Sequence, residues 1–337
     1  MPDRILVFNV NWLGDVLFST ASIRNLRRNY PKSFIACVIP SRCYPVLKGN
    51  PNLDQIIIYD EQDRHKSLLA KISFIKTLAG KRFDMGILLH GSLTRALILR
   101  LAGIKQIIGY NTKHRGFLLD KKIPLPKKDS LHRIDYYLNI LEKSGLRVED
   151  RFLEFFINDE DEIFVADFLK RNSLNSDDLI VGLNPAGNWL LKRWPKQYWA
   201  GLADRLINDY NAKVVITGSP DDLKLAGEIG KLMIGRPVVS CGMNLKQSAA
   251  LFKKLNLFIS ADSGPLHIAN AVGAKKIIAL FGPTDINITG PFPLNNVVVL
   301  QKDSGCKIPC YDLDCSDNRC MRAITPEDVL RECKKIL

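Results

Sequence analysis

The sequence predicts an α/β protein with two domains of similar size, each built on a parallel sheet. Three observations indicate this fold class. The chain has 337 residues, which exceeds the usual size of a single hydrophobic core. Apolar runs of strand length alternate with helical patterns, which is typical of parallel sheets covered by helices. After an acid-rich stretch at residues 150–178, interpreted as a linker, the alternation restarts, so we place the domains at residues 1–172 and 173–337.

The elements of the first domain follow from apolar runs and from turn residues. Pro31 follows the first predicted helix, and Gly145 is placed to end the last one as its C′ residue. The predicted strands cover residues 4–10, 33–39, 55–59, 84–89 and 106–109. The predicted helices cover residues 16–29, 66–79, 93–101 and 132–144.

The second domain repeats the same alternation. Its predicted strands cover residues 179–184, 213–217, 238–240, 257–260 and 276–281. Its predicted helices cover residues 195–210 and 222–233. Ligands of open α/β sheets bind beyond the carboxyl ends of the strands, so the loops at those ends are the candidate functional sites.

Composition and charge limit the function classes. Hydrophobic residues make up 46% of the chain and charged residues 25%, which is typical of globular proteins and argues against disorder. No apolar stretch approaches the roughly 20 residues that span a bilayer. The N-terminal apolar run is short and indicates a buried strand rather than a signal peptide, so the sequence predicts a cytoplasmic protein.

The excess positive charge lies in one segment. The formal net charge is +13, and residues 64–133 hold 16 Lys and Arg against 3 Asp and Glu, while the remainder is neutral. This basic segment is either a solvated face or a patch that faces a phosphate-rich partner or an anionic membrane surface. The chain contains no recognised nucleic-acid-binding motif, so nucleic acid is not a predicted partner.

The stretch Asp262-Ser263-Gly264-Pro265 follows a predicted strand and precedes a helical pattern. Asp262 or Ser263 is placed to cap that helix, and Pro265 suits its first turn. The same helix end is suited to bind an anion, because its free N–H groups and the helix dipole favour negative charge. His267, in the same helix, is either a packed histidine or a pocket residue.

Other strand ends carry further candidates. In the loop after the first strand, Gly14 permits a tight turn, and Asp15 is either an N-cap or a general base. The loop at residues 184–195 is either a packed surface loop or a phosphate site. Asp222 is placed to hold a ribose diol or to cap a helix, and Thr284 to donate to a phosphate or to cap a turn. The phosphate-site candidates in the 184–195 loop are Asn188, Lys192 and Arg193.

Clustered cysteines near the end of the chain are candidate zinc ligands, since such clusters in cytosolic proteins indicate metal before disulfides. The spacing lacks the Cys-x2-Cys pairs of common zinc sites, and unligated thiols are the alternative. The four residues are Cys306, Cys310, Cys315 and Cys320.

Together, these stretches resemble glycosyltransferase family 9, the ADP-heptose:lipopolysaccharide heptosyltransferases. The match runs from about Arg4 to Val329. The motifs in order are Leu13-Gly-Asp-Val16, Ile108-Gly-Tyr110, Lys192-Arg-Trp-Pro195, Asp262-Ser-Gly-Pro-Leu-His267 and Phe281-Gly-Pro-Thr-Asp285.

The resemblance implies a GT-B fold, with two Rossmann-like domains facing a central cleft, and an inverting, metal-independent transfer. It implies ADP-heptose as donor and, as acceptor, a phosphorylated lipid A–Kdo core or a heptosyl extension of it, at the inner face of the inner membrane. The basic charge of residues 64–133 leads to the further hypothesis that this segment docks there. Asp15 is then the general base and Lys192 neutralises the diphosphate. The remaining donor-binding residues implied are Gly14, Asn188, Arg193, Asp222, Asp262, Ser263, Gly264, His267 and Thr284. Many family members have Glu where this chain has the shorter Asp222.

Two other functions fit the same motifs. A GT-B nucleotide-sugar 2-epimerase shares the fold and needs no acceptor, although it does not explain the basic segment. A non-catalytic protein that binds nucleotide sugars or polyanions also fits, although Asp15 is a plausible base that such a protein does not need.

Overall fold

Each half of the chain forms a six-stranded parallel sheet in a computed structural model, which describes residues 1–187, 189–312 and 314–337. The chain divides into two units, Met1–Phe156 and Ile157–Leu337, so the division lies one helix before the boundary predicted after residue 172. Residues 159–171, interpreted as part of a linker, form a helix that packs against another helix of the second unit. Its first turn is entirely acidic, which complements the helix dipole and explains why the acid-rich stretch is helical.

The first unit alternates strands and helices as predicted. Short 3-10 helices lie at Ser41–Cys43 and Gly116–Leu118. The strands are β1 (Arg4–Phe8), β2 (Phe34–Ile39), β3 (Gln55–Ile58), β4 (Met85–Leu88), β5 (Gln106–Tyr110) and β6 (Lys121–Ile123). The helices are α1 (Leu13–Phe18), α2 (Thr20–Asn29), α3 (Tyr44–Leu47), α4 (Leu68–Gly80), α5 (Leu93–Leu101) and α6 (Arg133–Lys143).

The second unit begins with the unpredicted helix and then follows the same alternation. Short 3-10 helices lie at Leu190–Lys192 and Pro220–Asp222. The strands are β7 (Ile180–Asn184), β8 (Lys213–Ile216), β9 (Val238–Val239), β10 (Leu257–Ala261), β11 (Ile277–Phe281) and β12 (Val297–Gln301). The helices are α7 (Asp159–Arg171), α8 (Lys196–Tyr210), α9 (Leu223–Leu232), α10 (Leu245–Lys254), α11 (Gly264–Ala271), α12 (Ile286–Thr289), α13 (Arg319–Arg322) and α14 (Pro326–Ile336).

The predicted helix over residues 16–29 is two helices, with Ser19 between α1 and α2. The hydroxyl groups of Ser19 and Thr20 donate to the carbonyls of Val16 and Leu17, three residues earlier. Such hydrogen bonds from side chain to backbone often bend helices. Because α1 begins at Leu13, the loop after β1 is shorter than predicted.

The two sheets have the same strand order. The first runs β3-β2-β1-β4-β5-β6, and the second runs β12-β11-β10-β7-β8-β9, which is that order read from the opposite edge. The order reverses between β1 and β4 in the first sheet and between β7 and β10 in the second. We call the carboxyl end of each pair the switch point, where open α/β sheets bind their ligands.

The core of the first unit includes a layer formed by α4 and α5 on one face of the sheet. Phe74 and Leu78 of α4 share one buried cluster with Ala96 and Leu99 of α5 and Phe8 of β1. These helices therefore present their opposite sides away from the sheet. Among residues 1–187, 189–312 and 314–337, no helix combines the length and the apolar character that crossing a membrane requires.

Candidate functional site

Predicted site residues surround one buried carboxyl group at the switch point of the second sheet. Asp262 follows β10 and is 4% exposed. Its Oδ2 accepts hydrogen bonds from Lys192 Nζ at 2.6 Å and from Thr284 Oγ1 at 2.5 Å. His267 Nε2 lies 3.7 Å from Oδ1. The fold thus brings together residues from three strand-end loops and one helix.

The Asp262 carboxyl group is ionised despite its burial. Burial by itself raises the pKa of a carboxyl group, because it removes the charge from water. His267 and the Lys192 ammonium group favour the charged form more strongly and lower the pKa of Asp262 to about 2. Asp262 is therefore a fixed negative charge at neutral pH, which suits an anchor and not a proton acceptor.

The N-terminus of α11 lies beside this carboxylate. Ser263 is the N-cap residue, and Gly264 and Pro265 form the first turn, so the alternative that Asp262 caps the helix is wrong. The Ser263 side chain makes no capping bond, and its Oγ accepts a 3.0 Å hydrogen bond from Asn184 Nδ2. The positive end of the α11 dipole and the Lys192 ammonium group therefore both lie at the carboxyl edge of the second sheet. Such an arrangement stabilises anions.

The loop that carries Lys192 is held by its neighbouring arginine. Lys192 ends the 3-10 helix Leu190–Lys192, and its Nζ lies 5.5 Å from the centre of the Trp189 ring. Arg193 Nε donates to the Gly187 carbonyl at 2.9 Å. Asn188 lies outside the described residues, so its predicted role stays a prediction.

Asp222 caps a helical turn, and its predicted contact with a ribose stays a prediction. Its Oδ2 accepts hydrogen bonds from the backbone N–H and the hydroxyl of Ser219, which completes a capping box at the 3-10 helix Pro220–Asp222. Its Oδ1 lies 4.0 Å from Arg193 NH2. Both side chains line a cavity of about 460 Å³ within the second unit, beside Trp194 and Gln197.

Thr284 does not cap the turn that follows β11. Asp285 is the N-cap of α12, and its side chain accepts from the Asn287 N–H. The Thr284 hydroxyl instead supports the Asp262 carboxylate, as described above. The capping alternative for Thr284 is therefore wrong.

Asp15 lies at the switch point of the first sheet. It is in the first turn of α1, where Trp12 is the N-cap residue, so the N-cap alternative for Asp15 is wrong. Its Oδ1 accepts a 2.9 Å hydrogen bond from the hydroxyl of Tyr137 on α6. Burial and the Asp15 charge raise the pKa of Tyr137 well above its usual value, which keeps the phenol protonated and donating.

Gly14 does not serve a tight turn. It lies inside α1, and it is absent from the residues with positive φ among those described. A Cβ atom at this position meets no atom within 4 Å inside the chain. The glycine therefore leaves open space beside Asp15 rather than permitting an unusual backbone conformation.

A buried arginine fixes the loop that leads to Asp15. Arg95 on α5 is 1% exposed, and its NH1 donates to the Asn9 carbonyl at 2.8 Å. Its NH2 donates to Asn11 Oδ1 at 2.6 Å and to Glu61 Oε2 at 3.3 Å. The basic segment is thus partly structural, and Arg95 belongs to the interior rather than to a solvated face.

Arg115 is a second buried base of this segment. Its guanidinium group donates to the backbone carbonyls of Tyr110, His90 and Ser92. Burial lowers the pKa of Arg115 to about 10. Burial, with the nearby charges of Arg95, Lys113 and Arg115, lowers the pKa of His90 to about 4. Neutral His90 therefore adds no charge at this edge of the sheet at pH 7.

The cysteine cluster receives no support as a metal site. Cys306, Cys310 and Cys315 are partly exposed free thiols, and Cys320 is a buried one. Across residues 1–187, 189–312 and 314–337, no group of three or more His, Cys, Asp or Glu side chains is arranged to hold a metal ion.

Three polar residues at the switch points escaped the sequence analysis: Tyr137, Arg95 and Asn184. Tyr137 had no distinguishing signal, because it sits among ordinary apolar positions of α6. Arg95 was counted only as one of the basic residues of the segment 64–133, and its sequence context does not show that it is buried. Asn184 is the last residue of the first strand of the second unit, and Asn9 directly follows the first strand of the first unit. A buried asparagine at the end of each first strand is a signal that the sequence does contain.

The comparisons with known proteins agree with the motifs. A family model described as glycosyltransferase family 9 (heptosyltransferase) matches residues 71–318, more than half of the chain. The chain belongs to glycosyltransferase family 9. The predicted family and the prediction of a glycosyltransferase are thereby confirmed.

Relatives match this family 9 enzyme over nearly its whole length. It is 26% identical to lipopolysaccharide heptosyltransferase 2 of Salmonella typhimurium, over 99% of this chain and 98% of that protein. The solved structure of a family 9 glycosyltransferase from Veillonella parvula has a TM-score of 0.90 at 26% identity, covering 99% and 97% of the two chains. The structure of Escherichia coli ADP-heptose heptosyltransferase II has a TM-score of 0.80 at 24% identity, covering 99% and 98%. The predicted GT-B fold class is confirmed.

Proposed function

We propose that this family 9 glycosyltransferase transfers a heptose from ADP-heptose to the inner core of lipopolysaccharide, with inversion at the anomeric carbon. The observation that carries the proposal is the cluster of Lys192, Thr284 and His267 around the Asp262 carboxylate, next to the start of α11. The names of its relatives, which are lipopolysaccharide heptosyltransferases, support the sugar and the acceptor.

The second unit binds the donor in this proposal. Lys192 and the α11 N-terminus stabilise the diphosphate, and the charge on that group increases as it leaves. Asp262 holds the Lys192 ammonium group in position before the donor arrives, so little reorganisation is needed at the moment of reaction. Arg193 and Asp222 are placed along the neighbouring cavity, where Asp222 Oδ1 accepts from the ribose hydroxyls.

Asp15 acts as the general base. It accepts the proton of the acceptor hydroxyl while that oxygen forms its bond to the anomeric carbon. The bond from the anomeric carbon to the diphosphate oxygen breaks, and ADP leaves with the electron pair. The hydrogen bond from Tyr137 orients the carboxylate, and the open space at Gly14 admits the substrate.

The same charges support a reaction without a divalent metal. A metal in a glycosyltransferase neutralises the leaving diphosphate, and here the Lys192 ammonium group and the helix N-terminus supply positive charge for that purpose. Transfer is therefore expected to continue unchanged in excess EDTA. Loss of activity in EDTA that is restored by added Mg²⁺ or Mn²⁺ would contradict this part of the proposal.

A transfer assay read by mass spectrometry tests the function. The protein is incubated with ADP-heptose and a panel of truncated lipopolysaccharide acceptors, with UDP-glucose and ADP-glucose as control donors. The expected product is an acceptor heavier by one heptose, formed only from the heptose donor. A changed nucleotide sugar in the absence of acceptor would instead indicate an epimerase, and tight donor binding without turnover would indicate a binding protein.

We also propose that the protein works at the cytoplasmic face of the inner membrane, because its acceptor carries a lipid. The positive charge of residues 64–133 supports contact with an anionic leaflet. Changing Lys121, Lys122, Lys127 and Lys128 to Glu is expected to weaken co-sedimentation with anionic liposomes. Unchanged binding by this variant would remove these lysines from the contact.

A further inference from the structure

The outward side of α5 is apolar, and the first half of α4 also exposes apolar residues, although helices on a soluble surface usually place polar residues there. Leu68 and Leu69 are 74% and 79% exposed, and Ile72 follows them on α4. On α5, three exposed leucines recur every fourth residue and form a continuous stripe. We call these residues the leucine face: Leu68, Leu69, Ile72, Leu93, Leu97 and Leu101.

Both helices direct this face to the same side of the first unit. The inner sides of α4 and α5 pack in one cluster against one face of the sheet, and the two helices contact each other. Their outer sides therefore form one surface. Phe117 in the adjacent 3-10 helix is 76% exposed, and Arg100 of α5 donates to the carbonyl of its neighbour Leu118 at 2.7 Å, which ties that helix to the end of the stripe.

Exposed bases lie in the same stretch of chain. Acidic residues there are few, and one of them, Asp120, is paired with Arg100 at 2.8 Å. The buried Arg95 and Arg115 do not contribute to the surface. The exposed bases on these two helices or near them along the chain include Arg64, Lys66, Lys76, Arg82, Lys105 and Lys113.

We propose that the leucine face docks on an anionic bilayer, with its leucines at the acyl boundary and the surrounding bases at the lipid headgroups. An apolar surface bordered by Lys and Arg has the chemistry of helices that lie in a membrane interface. A second copy of the chain fits the face less well, because a two-fold symmetric contact would bring the same bases together. This inference rests on the proposed function, because the lipid-borne acceptor lies in an anionic bilayer. It adds that the leucine face, and not the lysines alone, makes the contact with that bilayer.

Vesicle binding tests the leucine face directly. The full chain is floated with neutral phosphatidylcholine vesicles and with vesicles that also contain phosphatidylglycerol. Leu69→Gln/Leu97→Gln is expected to lower the partition coefficient on the mixed vesicles by about tenfold or more, since two exposed leucines lose their transfer to the acyl region. The control Leu232→Gln/Ile234→Gln removes exposed apolar residues from the second unit and is expected to bind like the unmodified protein.

The readouts separate this inference from the proposed function. Leu69→Gln/Leu97→Gln is expected to retain transfer to a deacylated, water-soluble acceptor and to lose transfer to the same acceptor in vesicles. Equal vesicle binding by this variant and the unmodified protein would overturn the docking proposal even if heptose transfer is intact. Equal binding to neutral and anionic vesicles would overturn the role of the bases.

Oligomeric state provides the remaining check. If the unmodified protein is a dimer by light scattering and Leu69→Gln/Leu97→Gln is a monomer, the leucine face is a contact between copies and the membrane proposal is wrong. Thermal unfolding of both variants verifies that they fold. An unfolded double variant is replaced by Leu69→Gln alone, whose side chain is the most exposed of the leucine face, and the same outcomes apply to it.

Discussion

The two units share one strand order, yet the carboxylates at their switch points are held in different ways. In the second unit, Asp262 is buried among a lysine, a threonine and a histidine, and its pKa falls to about 2. In the first unit, Asp15 is held by the neutral phenol of Tyr137. The two carboxylates lie at the same kind of switch point but follow different strands, the first strand in one unit and the fourth in the other. In the proposed function they serve different chemistry, because the surrounding donors decide whether a carboxylate anchors a cation or accepts a proton.

Removing the cation of the second switch point is expected to have a large effect. Lys192→Met leaves the diphosphate without its nearest positive side chain, so kcat is expected to fall about 100-fold and ADP to bind more weakly. Steady-state kinetics and calorimetry measure both values. The control is Lys213→Met, which removes a lysine at the amino end of β8, away from the carboxyl ends of the strands. Equal activity of the two variants would show that Lys192 does not contact the leaving group.

The second prediction concerns how the contribution of Asp262 to the stability of the fold depends on pH. Because the folded pKa of Asp262 is depressed, its charge stabilises the fold above the unfolded pKa of about 3.9, and this contribution is lost as the pH falls through about 2. Asp262→Asn is expected to lower the free energy of unfolding by roughly 2 kcal/mol at pH 7, and the difference from the unmodified protein should shrink between pH 4 and pH 2. Urea unfolding at several pH values measures this, and a difference that is constant with pH would contradict the ion pair.

Tyr137→Phe tests the neutral donor of the first switch point. Loss of the hydroxyl removes a hydrogen bond that orients the Asp15 carboxylate, so kcat is expected to fall about tenfold while the KM for ADP-heptose stays constant. The pH dependence of kcat is expected to change as well, which a purely structural role would not produce. Tyr136→Phe, the adjacent residue on α6, is the matched control.

The smallest expected effect concerns the edge of the donor site. Asp222→Ala removes a capping box and the proposed acceptor for the ribose, so the affinity for ADP-heptose is expected to fall about threefold and the free energy of unfolding by about 1 kcal/mol. Asp222→Asn keeps a capping oxygen and is expected to preserve stability. Unchanged donor affinity in both variants would limit Asp222 to capping.

The sequence predicted the fold class and the residues around Asp262 because both rest on local patterns. Apolar runs followed by polar loops identify the strand ends, and parallel strands bring those ends to one edge of the sheet, so Lys192 and Thr284 meet Asp262. Tyr137 and Arg95 escaped prediction because each lies on a helix and not at a strand end, and each acts on the segment after β1 from a distant part of the sequence. The helix α7 was misread because acidic residues suggest a linker by composition, although they suit a helix N-terminus by position.

The central claim is that Asp15 is the base and Asp262 the anchor, and one matched pair of variants tests it. Asp15→Asn and Asp262→Asn make the same chemical change at the two switch points. With saturating ADP-heptose, we expect Asp15→Asn to lower kcat by about 100-fold or more with donor affinity unchanged, and Asp262→Asn to act mainly by weakening donor binding. A loss of donor affinity in Asp15→Asn, or full transfer activity in that variant, would contradict the account.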